Sequence, residues 1–175
     1  FIHSFEDSAK EDNKLRILNF EDVKPFVNSI PLVDCYAAAG DFSDLQIQSE
    51  LSWVEPPMNI AAKEGYFIFK VIGESMNKII PNNSYCLFKK DPGGTRNGKI
   101  VLVHHFDIQE SDYGQGYTVK EYHSEKKYSP DGDFIHDKII LKPKSFDSSF
   151  QDIVLLNDNL SNLHVVGIFE RVLIF

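Results

Sequence analysis

The chain has 175 residues, of which 42% are hydrophobic and 25% are charged, and this composition suits one soluble domain with a single core. Its formal net charge of -8 opposes direct binding of nucleic acid, because such binding depends largely on Lys and Arg neutralising phosphate charge. The sequence has no long apolar run and no leader-like start, so we expect a cytoplasmic protein that makes no membrane contact. Cys35 and Cys86 lack CxxC spacing, which favours free thiols over a disulfide.

Residues 1–29 are predicted to form an N-terminal arm, or a linker to a missing upstream part. Within this segment, the scattered apolar residues of 15–27 fit either a short helix or an extended lead-in. The chain begins at Phe1 rather than Met, so we expect a fragment, a processed product or a piece of a longer protein.

From residue 30 onward, short runs of β-branched and aromatic residues indicate strands. The predicted strands span residues 65–72, 85–88, 99–103, 117–122, 138–141 and 163–175. Turn-forming residues separate them, at 81–84, 91–94, 97–98 and 129–133. The hydrophilic segment 107–116 predicts an exposed hairpin loop, and the pattern places one short helix, beginning at Ser75. We therefore predict a compact, mostly β domain over residues 30–175, with strongly coiled sheets and a flexible N-terminal arm.

Lys120 is a candidate for a catalytic base. A lysine removes a proton only when its amine is neutral, and the ordinary lysine pKa of about 10.4 leaves it charged near pH 7. Burial disfavours the ammonium form and lowers a lysine pKa by up to about 3–5 units. In a strand, Thr118, Lys120 and Tyr122 share one face, which is a setting where the amine can be buried.

Ser75 has a complementary setting for a nucleophile. It follows an apolar strand and Gly73, and a glycine permits a sharp bend there. A helical turn beginning at the serine would expose its hydroxyl and direct free backbone N–H groups, those of Glu74 and Ser75, toward a developing oxyanion. A serine activated by a neutral lysine is a recognised nucleophile and base combination.

Several motifs follow one another in a specific order: a small-residue site at Ala39-Gly40, Gly73-Glu74-Ser75-Met76 after an apolar strand, a turn at 81–83, Asn97-Gly98-Lys99-Ile100-Val101, and Thr118-Val119-Lys120. This order resembles the LexA- and UmuD-like family of Ser-Lys autopeptidases, the S24-type peptidases, which includes phage repressors. The likeness runs from about residue 30 to residue 175. Gly40 and Ser75 are 35 positions apart, which is similar to the family's interval. Ser75 and Lys120 are 45 positions apart, which is longer, and we assign the extra length to loop 107–116 as decoration.

The resemblance implies a coiled all-β fold that dimerises and cuts its own chain as a serine endopeptidase. By this likeness Ser75 is the nucleophile, Lys120 the general base, Ala39-Gly40 the scissile bond, and the backbone of Glu74 and Ser75 the oxyanion site. It implies no cofactor and no metal. In the LexA-like relatives, which act in transcription regulation and the SOS response, an activated recombinase filament triggers cleavage, so we expect a homodimer with such a protein trigger. Too few residues precede Ala39 for a helix-turn-helix domain, so any DNA binding would belong to a missing upstream domain.

Two alternatives stay open. The chain could be a catalytically slow or silent LexA-like dimerisation or sensing module of a larger regulator or defence protein. A Ser-His-Asp triad is also compatible with the sequence, although no histidine lies in a recognisable motif. His104 and His105 are adjacent, and adjacent strand residues point to opposite faces, so they predict packing rather than a metal site.

Overall fold

The structure is a computed structural model and describes residues 14–40, 45–109 and 112–175. The strands are β1 (Ile30–Leu32), β2 (Ser52–Val54), β3 (Tyr66–Val71), β4 (Ser84–Lys90), β5 (Ile100–His104), β6 (Tyr117–Tyr128), β7 (Phe134–Lys142), β8 (Ile153–Leu156) and β9 (His164–Val172). Two short helices are α1 (Cys35–Ala38) and α2 (Leu45–Glu50), and two 3₁₀ helices cover Phe20–Asp22 and Asn157–Asn162. None of the helices in the described ranges is both long enough and apolar enough to cross a membrane.

The described strands form a single mixed sheet in the order β2-β1-β3-β4-β9-β5-β6-β7-β8. Among the described strands, all pairings are antiparallel except that of β1 with β3. The register shifts at three places, because β9 has one extra residue opposite Leu87/Phe88 of β4 and another opposite Leu102/Val103 of β5, and β7 has one opposite Glu125/Lys126 of β6. Such bulges increase local twist and bend the sheet, so one sheet can wrap around its own core. The prediction of a mostly β domain is confirmed.

The main core lies where β3, β4, β5, β6 and β9 converge. Its aromatic centre is a stack of Phe67 on Phe88 with ring centroids 5.5 Å apart, and Phe69 meets Phe88 edge-on at 6.2 Å. Ala37 and Ala38 of α1 and Met76 of the turn after β3 pack into the same cluster. These contacts tie the segment that carries Ala39-Gly40 and the segment that carries Ser75 to one core.

The six predicted strands are all present, with shifted ends. β6 and β7 are longer than predicted and continue to a turn at residues 129–133, where the Ser129 N–H donates to the Asp133 carbonyl at 2.7 Å. β1, β2 and β8 were not among the predicted strands. The prediction of a short helix beginning at Ser75 is wrong, because residues 73–80 form consecutive bends and turns.

β1 and β2 pair with each other, and the connection between them, which we name the excursion, carries α1, Ala39-Gly40 and α2. Its described residues are 33–40 and 45–51. Residues 15–27 combine the two forms left open above. Ile17 forms an extended bridge with Val54 and the Leu18 N–H donates to the Trp53 carbonyl at 2.8 Å, whereas Phe20–Asp22 is a 3₁₀ turn. Residues 1–13 of the predicted arm lie outside the described ranges.

Candidate active site

Ser75 and Lys120 are brought together by the fold. The Lys120 Nζ lies 3.0 Å from the Ser75 Oγ, although the two residues are 45 positions apart in the chain. Lys120 is completely buried and Ser75 is 6% exposed. The pair is therefore a hydrogen-bonded hydroxyl and amine shielded from bulk water, within the distance that proton transfer between nucleophile and base requires.

The predicted shared face of β6 also holds. Lys120 Nζ bonds to the Thr118 Oγ1 at 2.5 Å, and it donates to the Val119 carbonyl at 3.2 Å. Thr118 is fully buried as well. A carbonyl accepts only, so one N–H of Lys120 is directed to Val119, and the Thr118 hydroxyl fixes the amine from a second direction. These contacts restrict the long lysine side chain to one orientation toward Ser75.

Gly73 makes the bend that leads from β3 to Ser75. Its φ of 96° lies in the region that residues with a Cβ rarely adopt, as the sequence predicted for this glycine. Its N–H donates to the Asn82 Oδ1 at 2.8 Å, and the preceding Ile72 N–H donates to the Tyr113 Oη at 2.7 Å. The backbone just before Ser75 is thus held by two side-chain acceptors instead of a strand partner.

The backbone after Ser75 is held by the segment that follows β7. The Lys144 N–H donates to the Ser75 carbonyl at 2.9 Å, and the Lys78 N–H donates to the Lys144 carbonyl at 2.9 Å. This second bond explains why no helix forms here, because a helix needs the Lys78 N–H for the Glu74 carbonyl. The Asn77 Oδ1 adds a third link by accepting the Phe146 N–H at 2.9 Å.

The backbone N–H groups of Glu74, Ser75 and Met76 have no acceptor among the described residues. They follow one another through a tight turn beside the Ser75 hydroxyl. Consecutive N–H groups of this kind form a concave donor site for an anion. The arrangement fits the predicted oxyanion role of Glu74 and Ser75, which stays a prediction.

Glu121 connects the strand of Lys120 to the segment after β7. It pairs with the Lys144 Nζ at 3.3 Å and with the His123 Nε2 at 2.6 Å. Partial burial raises the pKa of the Glu121 carboxyl, but the bonds from His123 and Lys144 outweigh this effect and leave the pKa below its ordinary value. The carboxylate therefore stays charged near neutral pH and holds Lys144 against β6.

Ala39 and Gly40 lie exposed at the end of α1, where the Gly40 N–H donates to the Ala37 carbonyl at 3.1 Å. They line a cavity of about 650 Å³ whose other walls include Tyr122 of β6, Leu163 and Val165. Tyr122 is on the same face of β6 as Thr118 and Lys120. Within the described part of the chain, no hydrogen bond joins Ala39 or Gly40 to Ser75 or Lys120.

The structure also shows where the histidines and cysteines singled out from the sequence lie. His105 is fully buried, accepts the Asp107 N–H at 3.0 Å and bonds through its Nε2 to the Asn159 carbonyl at 2.8 Å, while the His104 ring packs on Tyr117 at 4.7 Å. No group of His, Cys, Asp and Glu within the described residues has the arrangement of a metal site. Both cysteines are free, and burial raises the pKa of the Cys86 thiol to about 12.

Sequence reasoning missed four residues that hold the serine turn: Asn77, Asn82, Tyr113 and Lys144. Asn82 stands in a Pro-Asn-Asn turn, which predicts a loop but not the acceptor of the Gly73 N–H. Tyr113 lies in the loop that the sequence analysis treated as decoration. That interpretation is corrected here, because Tyr113 reaches back to the end of β3. Glu110 and Ser111 in the same loop lie outside the described residues.

A family model described as Peptidase S24-like matches residues 31–129 of the chain. The matched region extends from β1 through β6 and includes Ala39, Gly40, Ser75 and Lys120. None of the curated proteins compared with the chain matches it.

Proposed function

Because the chain belongs to the Peptidase S24-like family, we propose that it is a regulatory serine peptidase domain that cuts its own Ala39–Gly40 bond. The observation that carries the proposal is the buried 3.0 Å bond between the Lys120 Nζ and the Ser75 Oγ. Burial disfavours a charged ammonium, and a neutral amine has a lone pair that can accept the serine proton. The residues around the pair support this role, since the carbonyl of Val119 and the hydroxyl of Thr118 fix the amine.

In the proposed reaction, the Ser75 Oγ attacks the carbonyl carbon of Ala39 while the Lys120 Nζ takes the hydroxyl proton. The carbonyl oxygen becomes an oxyanion and accepts bonds from the backbone N–H groups of Glu74 and Ser75. Collapse of this intermediate breaks the C–N bond to Gly40, and Lys120 returns its proton to the Gly40 nitrogen. Water then attacks the ester on Ser75 while Lys120 accepts its proton, and Lys120 passes this proton to the Ser75 Oγ as the ester bond to Ala39 breaks.

The bond to be cut belongs to the same chain, so its local concentration is high once the excursion docks on the pair. Ala39 and Gly40 are exposed and line a cavity together with Tyr122, which is two residues beyond Lys120 in β6. Docking requires residues 33–51 to bring the Ala39 carbonyl to the Ser75 hydroxyl. We propose that this docking step is where control acts, and that a protein trigger or a homodimer partner favours the docked state.

The test is to incubate the purified chain from pH 7 to pH 9 and weigh the products by mass spectrometry. We expect two fragments that meet at Ala39/Gly40, with a rate that rises by up to about tenfold per pH unit while Lys120 is still charged. The fragments should be absent in Ser75→Ala and Lys120→Ala. Lys120→Arg should also be inactive, because a guanidinium stays protonated at these pH values. Gly40→Phe should block cutting without loss of the fold.

The matched controls are Ser148→Ala, at an exposed serine, and Lys126→Ala, at an exposed lysine of β6. Both variants should cut at the parent rate. The assay stops at pH 9 because the free energy of unfolding is expected to fall above that pH. Burial raises the pKa of the Cys86 thiol, so above about pH 9 the unfolded chain loses this proton first and stability falls. An intact parent chain at every pH would overturn the proposal and favour the silent dimerisation or sensing module.

A further inference from the structure

Residues 112–116 close the β5–β6 connection, and we name this segment the strap. Its base is anchored, because the His105 N–H donates to the Gly116 carbonyl at 3.0 Å and the buried His105 ring bonds to Asn159. Gly116 permits this closure, since its φ is 79° and an added Cβ would lie 2.4 Å from the His105 carbonyl oxygen. From this fixed base, the strap folds back toward the end of β3.

Tyr113 and Asp112 of the strap contact the backbone immediately before Ser75. The Tyr113 ring packs on Phe69 with centroids 5.4 Å apart, and its Oη accepts the Ile72 N–H at 2.7 Å. The Asp112 carboxylate covers Gly73 so closely that an added Cβ there would lie 2.3 Å from the Oδ2. Ile72 is the first residue after β3, so without Tyr113 its N–H would have water as its partner.

We infer that Tyr113 is a positioning residue that holds the turn carrying Ser75 in register with Lys120. The inference rests on the proposed function for its effect on cutting. Ile72 is three residues before Ser75, and Gly73 between them has no Cβ to restrict its backbone, so without further contacts the turn could change its direction at Gly73. The Tyr113 hydroxyl holds the Ile72 N–H just before Gly73, and the Asn82 side chain holds the N–H of Gly73 itself. Burial raises the pKa of the Tyr113 phenol, and the charge of Asp112 raises it further, so the hydroxyl keeps its proton throughout the assay range.

The test compares Tyr113→Phe with the parent chain. The phenyl ring keeps its packing on Phe69 and only the acceptor for the Ile72 N–H is removed. We expect the rate of self-cutting to fall by about three- to tenfold, the equivalent of one net hydrogen bond, and the pH at which the rate levels off to stay the same, because Lys120 is untouched. Hydrogen exchange measured by mass spectrometry should become faster over residues 72–76. Tyr128→Phe, at an exposed position beside Phe134, is the matched control and should change neither value.

A role in global stability alone would not give this result. When nearly every molecule is folded, a small loss of stability does not change the rate per folded chain. Unchanged cutting and unchanged exchange in Tyr113→Phe would overturn the inference.

A third measurement distinguishes failure of the positioning role of Tyr113 from failure of the proposed function. If the parent chain does not cut itself, the reaction of Ser75 with an alkyl phosphonofluoridate is followed by mass. Slower labelling of Tyr113→Phe together with faster exchange at 72–76 would still support the positioning role. Equal labelling of the two chains would overturn it.

Discussion

Cutting at Ala39–Gly40 is expected to leave both fragments in one folded unit. β1 precedes the bond, whereas its two neighbours in the sheet, β2 and β3, follow it. Ile30 is fully buried and Val33 is 2% exposed, and the Val33 N–H donates to the Ile68 carbonyl at 2.8 Å. Residues 16–18 add further backbone bonds on the other side of β2. The upstream piece is therefore part of the sheet, and loss of one peptide bond does not remove these contacts.

The free energy that holds the cut fragments together should depend strongly on the buried side chain of Ile30. Ile30→Ala removes buried methyl and methylene groups and should weaken the association of the cut fragments by about 2–4 kcal/mol. This corresponds to a roughly thirty- to thousandfold higher dissociation constant, at about 1.4 kcal/mol for each factor of ten. The uncut variant should stay folded because its segments remain covalently joined. Val27→Ala, at a position that is 74% exposed, is the matched control.

The assay is native size-exclusion chromatography of the cut chain, with each fraction also run on a denaturing gel. For the parent and for Val27→Ala we expect both fragments in one peak, and for Ile30→Ala we expect them to separate on dilution. Free elution of the upstream fragment from the cut parent chain would refute the reasoning. It would mean that the pairing of β1 depends on the intact bond.

Two further predictions concern the core. Gly167→Ala would place a Cβ 2.5 Å from the Cζ of the buried Phe67 and 3.0 Å from the Lys89 carbonyl oxygen, so we expect a loss of about 1–3 kcal/mol in the free energy of unfolding by urea. A loss below about 0.5 kcal/mol would contradict the close packing of β9 on β3. Burial raises the pKa of the Cys86 thiol from 9.0 to about 12, so alkylation by iodoacetamide at pH 8 should be about a thousandfold slower than for an ordinary cysteine and should recover in urea. Rapid native labelling of Cys86 would contradict its burial.

The strands and the candidate pair were accessible from the sequence because they depend on local patterns. β3 to β6 and β9 are runs of β-branched and aromatic residues bounded by turn formers, which predict strands without knowledge of the partner. The alternation of a strand predicted that Thr118 and Lys120 share a face, and their side chains are bonded in the structure. The family resemblance then supplied Ser75 as the residue that Lys120 meets.

The missed features depend on contacts between distant residues. The sequence after Ser75 predicts a helix, whereas in the structure the Lys78 N–H bonds to the Lys144 carbonyl and a turn forms instead. β1 has three residues, one of them Pro31, and a short run with a proline gives little strand signal. Loop 107–116 is largely hydrophilic, so its composition predicts exposure, whereas Ile108 is buried in the core, Tyr113 bonds back to Ile72 and Gly116 bonds to His105.

The links between the Ser75 turn and residues 144–146 have a consequence for biosynthesis. The ribosome makes Ala39-Gly40 first, then Ser75, then Lys120, and only afterwards Lys144 and Phe146, which hold the backbone after Ser75. Asn77 and its partner Phe146 are 69 positions apart. Under the proposed reaction, a nascent chain would contain the bond to be cut before the contacts of residues 144–146 with the serine turn can form. Under the proposed reaction, the late position of these residues would delay cutting until most of the domain has been synthesised.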